Sequence, residues 1–179
     1  MNEHDKLSNA LANTSIIISL LGPQITDRNL APSLFADFYR ALFPIMRQNG
    51  VRRILAMGTI SIVRPEDRWL LTHRLTVFLV WLFYNKAWSN IINIGATFEK
   101  NAQDIDWTVY RIAMIPGEPD EASWKKGRES GHVLAGSVGE KGWNMSTHRG
   151  ALARWLVDAA EGKADGWIRK MPALSLQSN

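Results

Sequence analysis

The sequence predicts an α/β fold, a parallel sheet flanked by helices, in one domain spanning residues 1–179. Two observations carry this reading. The runs SIIISLL (15–21), RRILAMG (52–58) and WTVYRIA (107–113) are rich in β-branched and aromatic residues. They lack strict alternation, as strands covered on both faces do. Stretches with helical spacing separate them, and strands alternating with helices argue for parallel pairing and crossover connections.

Taken in order, residues 7–14 read as the end of a helix, and the 15–21 strand is closed by Gly22-Pro23. Pro32 suits a first helical turn, where its missing N–H costs nothing. That helix runs through Leu34, Phe35, Phe38, Leu42 and Ile45, with a kink expected at Pro44 and a left-handed cap at Asn49-Gly50. The second strand follows, then a loop with Pro65, Glu66 and Asp67, then a helical region over 69–101. Gly95 costs that region about 1 kcal/mol relative to alanine and marks where it would break in two. The stretch DIDWTVYRIAMIPGEP (104–119) is the strand around which the chain is organised. Ligands of parallel sheets bind beyond the carboxyl ends of the strands, which puts 111–117 at the mouth of a cleft. Residues 132–138 suggest a further short strand, Ser146-Thr147 the cap of a helix ended by Gly162, and 167–179 a closing tail.

With 179 residues the chain can bury roughly 70% of its unfolded surface. The charge is +4, a mild excess spread over many places, with two loose clusters at Arg47/Arg52/Arg53 and Lys125/Lys126/Arg128. Their density suits solvated surface or a specific anion site, and no nucleic-acid partner is expected. There is no cysteine, and the histidines at 4, 73, 132 and 148 have no ligand spacing, so no metal is expected. Residues 75–84 (LTVFLVWLFY) are the most apolar run; ten residues fall short of the roughly 20 a spanning helix needs. A mostly buried helix, a subunit interface and membrane-surface contact all remain open for it. Residues 1–14 are polar with both charge signs, unlike a signal peptide, and a cytoplasmic location is expected.

Four pieces occur in a recognisable order: SIIISLLG (15–22), NGVRRILAMGTIS (49–61), DIDWTVYRIAMIPGEP (104–119) and HRGALARWLVDAA (148–160). With the Glu66-Asp67 loop and the closing KMPALS (170–175), the chain resembles an atypical short-chain dehydrogenase/reductase of the NmrA-like kind. Fungal members related to averufin oxidase A are the most similar. The resemblance implies a Rossmann fold entered midway, after the family's first strand, glycine-rich turn, helix and two further strands. The G-x-x-G-x-x-G turn that cradles the cofactor pyrophosphate is not found: Gly22 is followed by Pro-Gln-Ile, and Gly136-Ser-Val-Gly139 lies far downstream at a strand end. The chain would then pair with another chain, rearrange, or belong to a longer gene product.

The resemblance further implies NADP or NAD as cofactor, contacted by Leu21, Gly22, Met57, Gly58, Thr59, Arg111 and Ile112. Arg111 is weighed between an ion pair or backbone contact and a ligand phosphate. Many relatives carry Tyr-x-x-x-Lys with a Glu four residues later. If Glu99 matches that Glu, Ile91 and Gly95 occupy the Tyr and Lys positions. The remaining catalytic candidates are Thr59, in the place of the family's Ser or as a loop hydroxyl bonding its own backbone, and Tyr84 and Lys86. A spacing of two puts the last pair on different helix faces. Asp104 and Asp106 read as turn residues, and Trp124 and Trp143 flank the least regular segment, where the family's substrate lid lies. Two functions follow. One is an enzyme of small-molecule secondary metabolism, a cofactor-dependent oxidoreductase or a non-redox isomerase or cyclase, acting on a polycyclic aromatic substrate. The other is a non-catalytic binding or regulatory module. An uncovered edge at Ile16-Ile17-Ile18 argues for a homo-oligomer.

Overall fold

The computed structural model describes residues 3–27, 29–129 and 131–177; the side chains of Glu3, of His4 from the histidine set and of Arg128 from the second basic cluster lie outside the described residues. Five strands, β1 (Ile16–Ser19), β2 (Arg53–Thr59), β3 (Asp106–Ile112), β4 (Val133–Gly136) and β5 (Ala173–Leu176), form one sheet in the order β1-β2-β3-β5-β4. Pairing is parallel from β1 to β5, and β4 closes the far edge antiparallel to β5. The helices are α1 (Glu3–Leu11), α2 (Leu34–Gln48), α3 (Leu71–Phe83), α4 (Asn85–Asn101), α5 (Glu121–Glu129) and α6 (Arg149–Ala160).

Side chains on a strand alternate between faces, so each strand feeds two cores. Ile54, Ala56, Trp107 and Val109 face one side, where α2 and α4 supply Tyr39, Leu42, Phe43, Ile94 and Phe98. The rings of Tyr39, Phe43 and Trp107 surround Phe98 with centroids 4.8, 5.1 and 5.8 Å away. Leu55, Tyr110 and Leu174 face the other side, against Leu152, Leu156 and Ala159 of α6. Both sheet faces being covered explains why the strands read as continuous apolar runs.

Several boundaries differ from the sequence reading. β1 has four residues, and Leu20 and Leu21 leave the sheet and are exposed. The long helical region breaks at Tyr84, whose backbone (φ −132°, ψ 42°) is the only non-helical residue between α3 and α4. Gly95 lies inside α4, because the helix there approaches a loop closely: a Cβ would sit 3.1 Å from Ile62 Cδ1. α2 continues past Pro44 to Gln48. α5 starts ahead of Trp124, runs into the segment between Trp124 and Trp143, and packs on α6. The tail holds β5, inserted between β3 and β4, where the Arg111 N–H donates to Pro172 O at 2.8 Å. Four residues behind a proline are too few to show a period.

Candidate functional site

The carboxyl ends of β2 and β3 open onto a cavity of about 480 Å³. Its floor is Met57 and Thr59 of β2, the following Ile60 and Ser61, and Ile112, Ala113 and Met114 at the end of β3. α3 contributes Thr76, Val77 and Val80; α4 contributes Ala87, Trp88 and Ile91; Pro23, Ile25 and Met145 complete the wall. Every lining side chain is apolar or neutral. The hydroxyls are those of Thr59, Ser61 and Thr76, and the Trp88 indole N–H is buried without a partner among the described residues.

A buried network fixes the loop that carries α3 over this cavity. Arg111 is 1% exposed and donates through Nη1 and Nη2 to Asp67 at 2.6 and 2.9 Å, through Nη1 to Ile62 O and through Nε to Met171 O. Asp67 also accepts the N–H groups of Arg64 and Val138 at 2.8 and 2.9 Å. Burial pushes the Asp67 carboxyl up, but the bonds from Arg111 and the two N–H groups outweigh it and hold the group below its usual range. One turn further on, His73 is 1% exposed and its Nε2 lies 2.8 Å from Ile60 O, pinning α3 to the end of β2.

The expected site residues divide between three places. Met57, Thr59 and Ile112 line the cavity, with Leu21 exposed nearby in sequence to Pro23. Thr59 Oγ1 accepts the Ser61 N–H at 3.3 Å, a loop bond of the expected kind that leaves its own O–H to donate. Gly58 and Arg111 point inward: a Cβ on Gly58 would meet Val109 at 2.8 Å and Ile62 at 3.1 Å. Arg111 is therefore spent on Asp67 and the backbone, which is the ion-pair reading of that residue.

Tyr84 and Lys86 are exposed and line a second cavity, also about 480 Å³, with Thr26, Asp27, Leu82, Phe83 and Asn85. Spacing alone separated them; the helix break at Tyr84 brings them to one cavity. Ile25 and Ala87 belong to both cavities, so the two adjoin. Ile91 lies in the inner cavity, while Glu99 pairs with Arg64 at 2.6 Å. Asp104 accepts two bonds from Arg47, at 2.7 and 2.6 Å, in place of a purely local turn role. Trp143 packs against Ile60, Val138 and Ala173. No group of three or more His, Asp or Glu side chains is placed to hold a metal among the described residues.

The described residues do not fit a dinucleotide's phosphates. Gly22 is half-buried with the Met57 methyl against it, 2.3 Å from where a Cβ would sit, and no helix follows it directly. The downstream glycine run continues to Gly142, so Gly136, Gly139 and Gly142 do have the G-x-x-G-x-x-G spacing, contrary to expectation. Two of them adopt positive φ, 77° at Gly139 and 86° at Gly142. No helix follows directly, and carboxylates already take the loop's N–H groups. Glu140 accepts from Ser137 at 2.9 Å, and Asp67 accepts from Val138. The spacing is there, but the anion it holds is the protein's own.

No family model matches the sequence, and no curated protein matches it. Solved structures do. A short-chain dehydrogenase/reductase from Veillonella parvula aligns with a TM-score of 0.66 at 11% identity, over 97% of this chain and 68% of that one. Another structure described in those terms, from the same organism and in complex with NADP, gives 0.64 at 11% identity over the same shares. ChuY, an anaerobillin reductase from Escherichia coli O157:H7, gives 0.63 at 9% identity, over 99% of this chain and 72% of that one. No helix among the described residues is long and apolar enough to cross a membrane. At these identities the likeness is one of fold: the chain has the Rossmann-like sheet, flanked by helices, of short-chain dehydrogenase/reductase structures.

Proposed function

We propose that the chain binds a predominantly apolar small molecule in the inner cavity, on a scaffold shared with nucleotide-dependent reductases. The observation that carries this is the lining itself: about 480 Å³ at the strand ends, with no titratable side chain among the residues that form it. That size and character suit a drug-sized ligand, oriented by a few hydroxyls. It also favours a binding or regulatory module over a reductase that must supply a proton. Proton transfer needs a group of matched pKa within hydrogen-bond reach, and Ile91, which takes the tyrosine position if Glu99 matches the family's Glu, gives the cavity an alkyl group.

A second reading, an oxidoreductase of secondary metabolism using NADP or NAD, draws support from the NADP-bound neighbour and from the position of the cavity beyond β2 and β3. Tyr84 and Lys86 would then have to act from the outer cavity. The polycyclic aromatic substrate of that reading is equally a candidate ligand for the first.

The two readings separate in one titration. Fluorenone, a neutral polycyclic ketone, is expected to bind at micromolar concentration, followed by quenching of tryptophan fluorescence, without consumption of added NADPH. Filling the cavity with Thr76→Trp should abolish binding. Steady NADPH oxidation that depends on the ketone and is lost in Tyr84→Phe would favour the enzyme. No binding of fluorenone or other neutral apolar probes would overturn the first reading.

A further inference from the structure

We propose that α3 is a lid shared by two sites, the inner cavity on one side and a second copy of the chain on the other, so that ligand binding and dimerisation strengthen each other. This rests on the reading that the inner cavity takes an apolar ligand, and adds how that site is regulated.

α3 has little of its own to keep it helical. It has 13 residues, a length at which an isolated helix is marginal. Thr76, Val77 and Val80 are β-branched and Phe78, Trp81 and Phe83 aromatic, and such side chains lose rotamer freedom against the preceding turn. No side chain caps its start, its first turn has no acidic residue, and its last turn has no basic one. Its order therefore comes from packing. Yet His73 is its single buried side chain, α4 is the element it packs on most, and one residue, Tyr84, joins the two helices.

Neither face of α3 meets a packed core. Thr76, Val77 and Val80, on the side of His73, line the inner cavity. Leu71, Leu75, Phe78 and Leu82 lie on the opposite side, exposed by 66, 53, 51 and 52%. A ligand beneath and a partner above would support the same helix, and two binding events that order one element are positively linked. The outer face selects a second copy as that partner. Arg74 is the only ionic side chain of α3, and it falls beside the stripe, not in it. An antiparallel pair about a twofold axis sets Leu71 against the partner's Leu82 and Leu75 against the partner's Phe78, so the seam is apolar throughout. Leu79 and Trp81 flank the stripe and are more than two-fifths exposed. Together these side chains offer several hundred Å², of the order of the ~800 Å² that each partner gives to a standard interface.

The experiment uses fluorenone as the probe and reads both equilibria on the purified chain. Sedimentation velocity gives the dimer dissociation constant with and without saturating fluorenone, and tryptophan quenching gives the fluorenone affinity above and below that concentration. The dimer is expected to bind fluorenone at least about fivefold more tightly than the monomer. A dimer holds two cavities, so saturating fluorenone should tighten dimerisation by the square of that factor, about 25-fold. Leu75→Lys with Phe78→Lys, neither of which lines the cavity, should be monomeric and bind at every concentration with the affinity of the dilute unaltered chain. Thr76→Trp should leave a dimer that no longer responds to fluorenone. Circular dichroism establishes that each variant folds. A dimer dissociation constant that bound fluorenone leaves unchanged or raises, or a Leu75→Lys, Phe78→Lys monomer that binds as tightly as the dimer, overturns the linkage while leaving the apolar cavity standing. A Thr76→Trp dimer that still responds places the probe outside the cavity and overturns the linkage. Monomers at every concentration overturn it too, and if these sediment with phosphatidylcholine vesicles the face belongs to a lipid surface. No binding of fluorenone overturns the apolar-ligand reading and the linkage with it.

Discussion

Asp67 has 2% of its side chain exposed, and its two oxygens accept from both Arg111 nitrogens and from the N–H groups of Arg64 and Val138. Removing one member strands a buried charge. Asp67→Asn or Arg111→Met is expected to cost about 3–5 kcal/mol, and replacing both by apolar residues less than either alone. Chemical denaturation of the three variants checks this. The carboxyl is held below its usual range, so its contribution is complete above the unfolded value of about 4 and is lost as pH falls through the folded one. Asp67→Asn should therefore flatten the acid limb of the stability profile. At the alkaline end, burial pushes the Tyr39 hydroxyl up to about 12, against the opposing bond to Ser19. Its contribution is complete below about 10 and declines above, and Tyr39→Phe should remove that decline. The Arg111 ion pair was half legible in sequence: a charged residue in a buried strand demands a partner. Which partner was not legible, because Asp67 lies 44 positions away and meets it only once the loop is folded over β3.

The helices show the same limit one level up. Sequence put the break of the long helical region at Gly95, the weakest residue by propensity, whereas it falls at Tyr84. Gly95 is needed for approach, not flexibility: an alanine Cβ would press on Ile62 Cδ1 at 3.1 Å. Gly95→Ala alone should gain little of the roughly 1 kcal/mol of helix propensity, but nearly all of it when Ile62→Val removes that methyl. Thermal unfolding of the double variant against Ile62→Val tests it, and an equal gain in both backgrounds would sink the packing explanation. α3 is the other element that sequence could not place. The apolar run left a buried helix, a subunit interface and membrane-surface contact open; Leu71, Leu75, Phe78 and Leu82 are all more than half exposed and lie at heptad spacing along one side. Such a stripe suits a second copy of the same helix. Burying even three of these side chains is worth roughly 5–8 kcal/mol, enough to offset part of the cost of association. Concentration-dependent dimers are expected in sedimentation velocity, and Phe78→Lys with Leu82→Lys should yield monomers. At the sheet edge, Ile17 packs into the core and Ile18 is the exposed member, so only Ile18→Lys probes edge pairing without damaging the fold. Monomers at every concentration would leave the stripe without this role.

At the scale of the whole molecule, the alternation of strands and helices was readable because both sheet faces are covered and each strand is a continuous apolar run. The glycine spacing was the opposite case, since Gly136, Gly139 and Gly142 match a nucleotide-binding pattern whose surroundings are wrong for it. In a dinucleotide site, N–H groups at a glycine turn and the following helix end hold the pyrophosphate. Here the sheet ends present Met57 and Thr59 to an apolar cavity, no helix follows Gly22 directly, and the glycine loop is occupied by Glu140 and Asp67. A neighbour of the same fold takes NADP, so the scaffold is compatible with the cofactor; it is the phosphate cradle that the described residues do not form. Losing those contacts costs about 3 kcal/mol, more than a hundredfold in affinity. The purified chain is therefore expected to bind NADPH and NADH alike with a Kd weaker than about 100 μM by calorimetry, since both carry the pyrophosphate whose cradle is not formed. Glu140→Gln tests whether the glycine loop is a blocked site: it should leave this weak binding unchanged, because Asp67 still holds the Val138 N–H. Low-micromolar binding by the unaltered chain would mean that a phosphate site exists away from Gly22, the strand ends and the glycine loop, and would return the balance to the oxidoreductase reading.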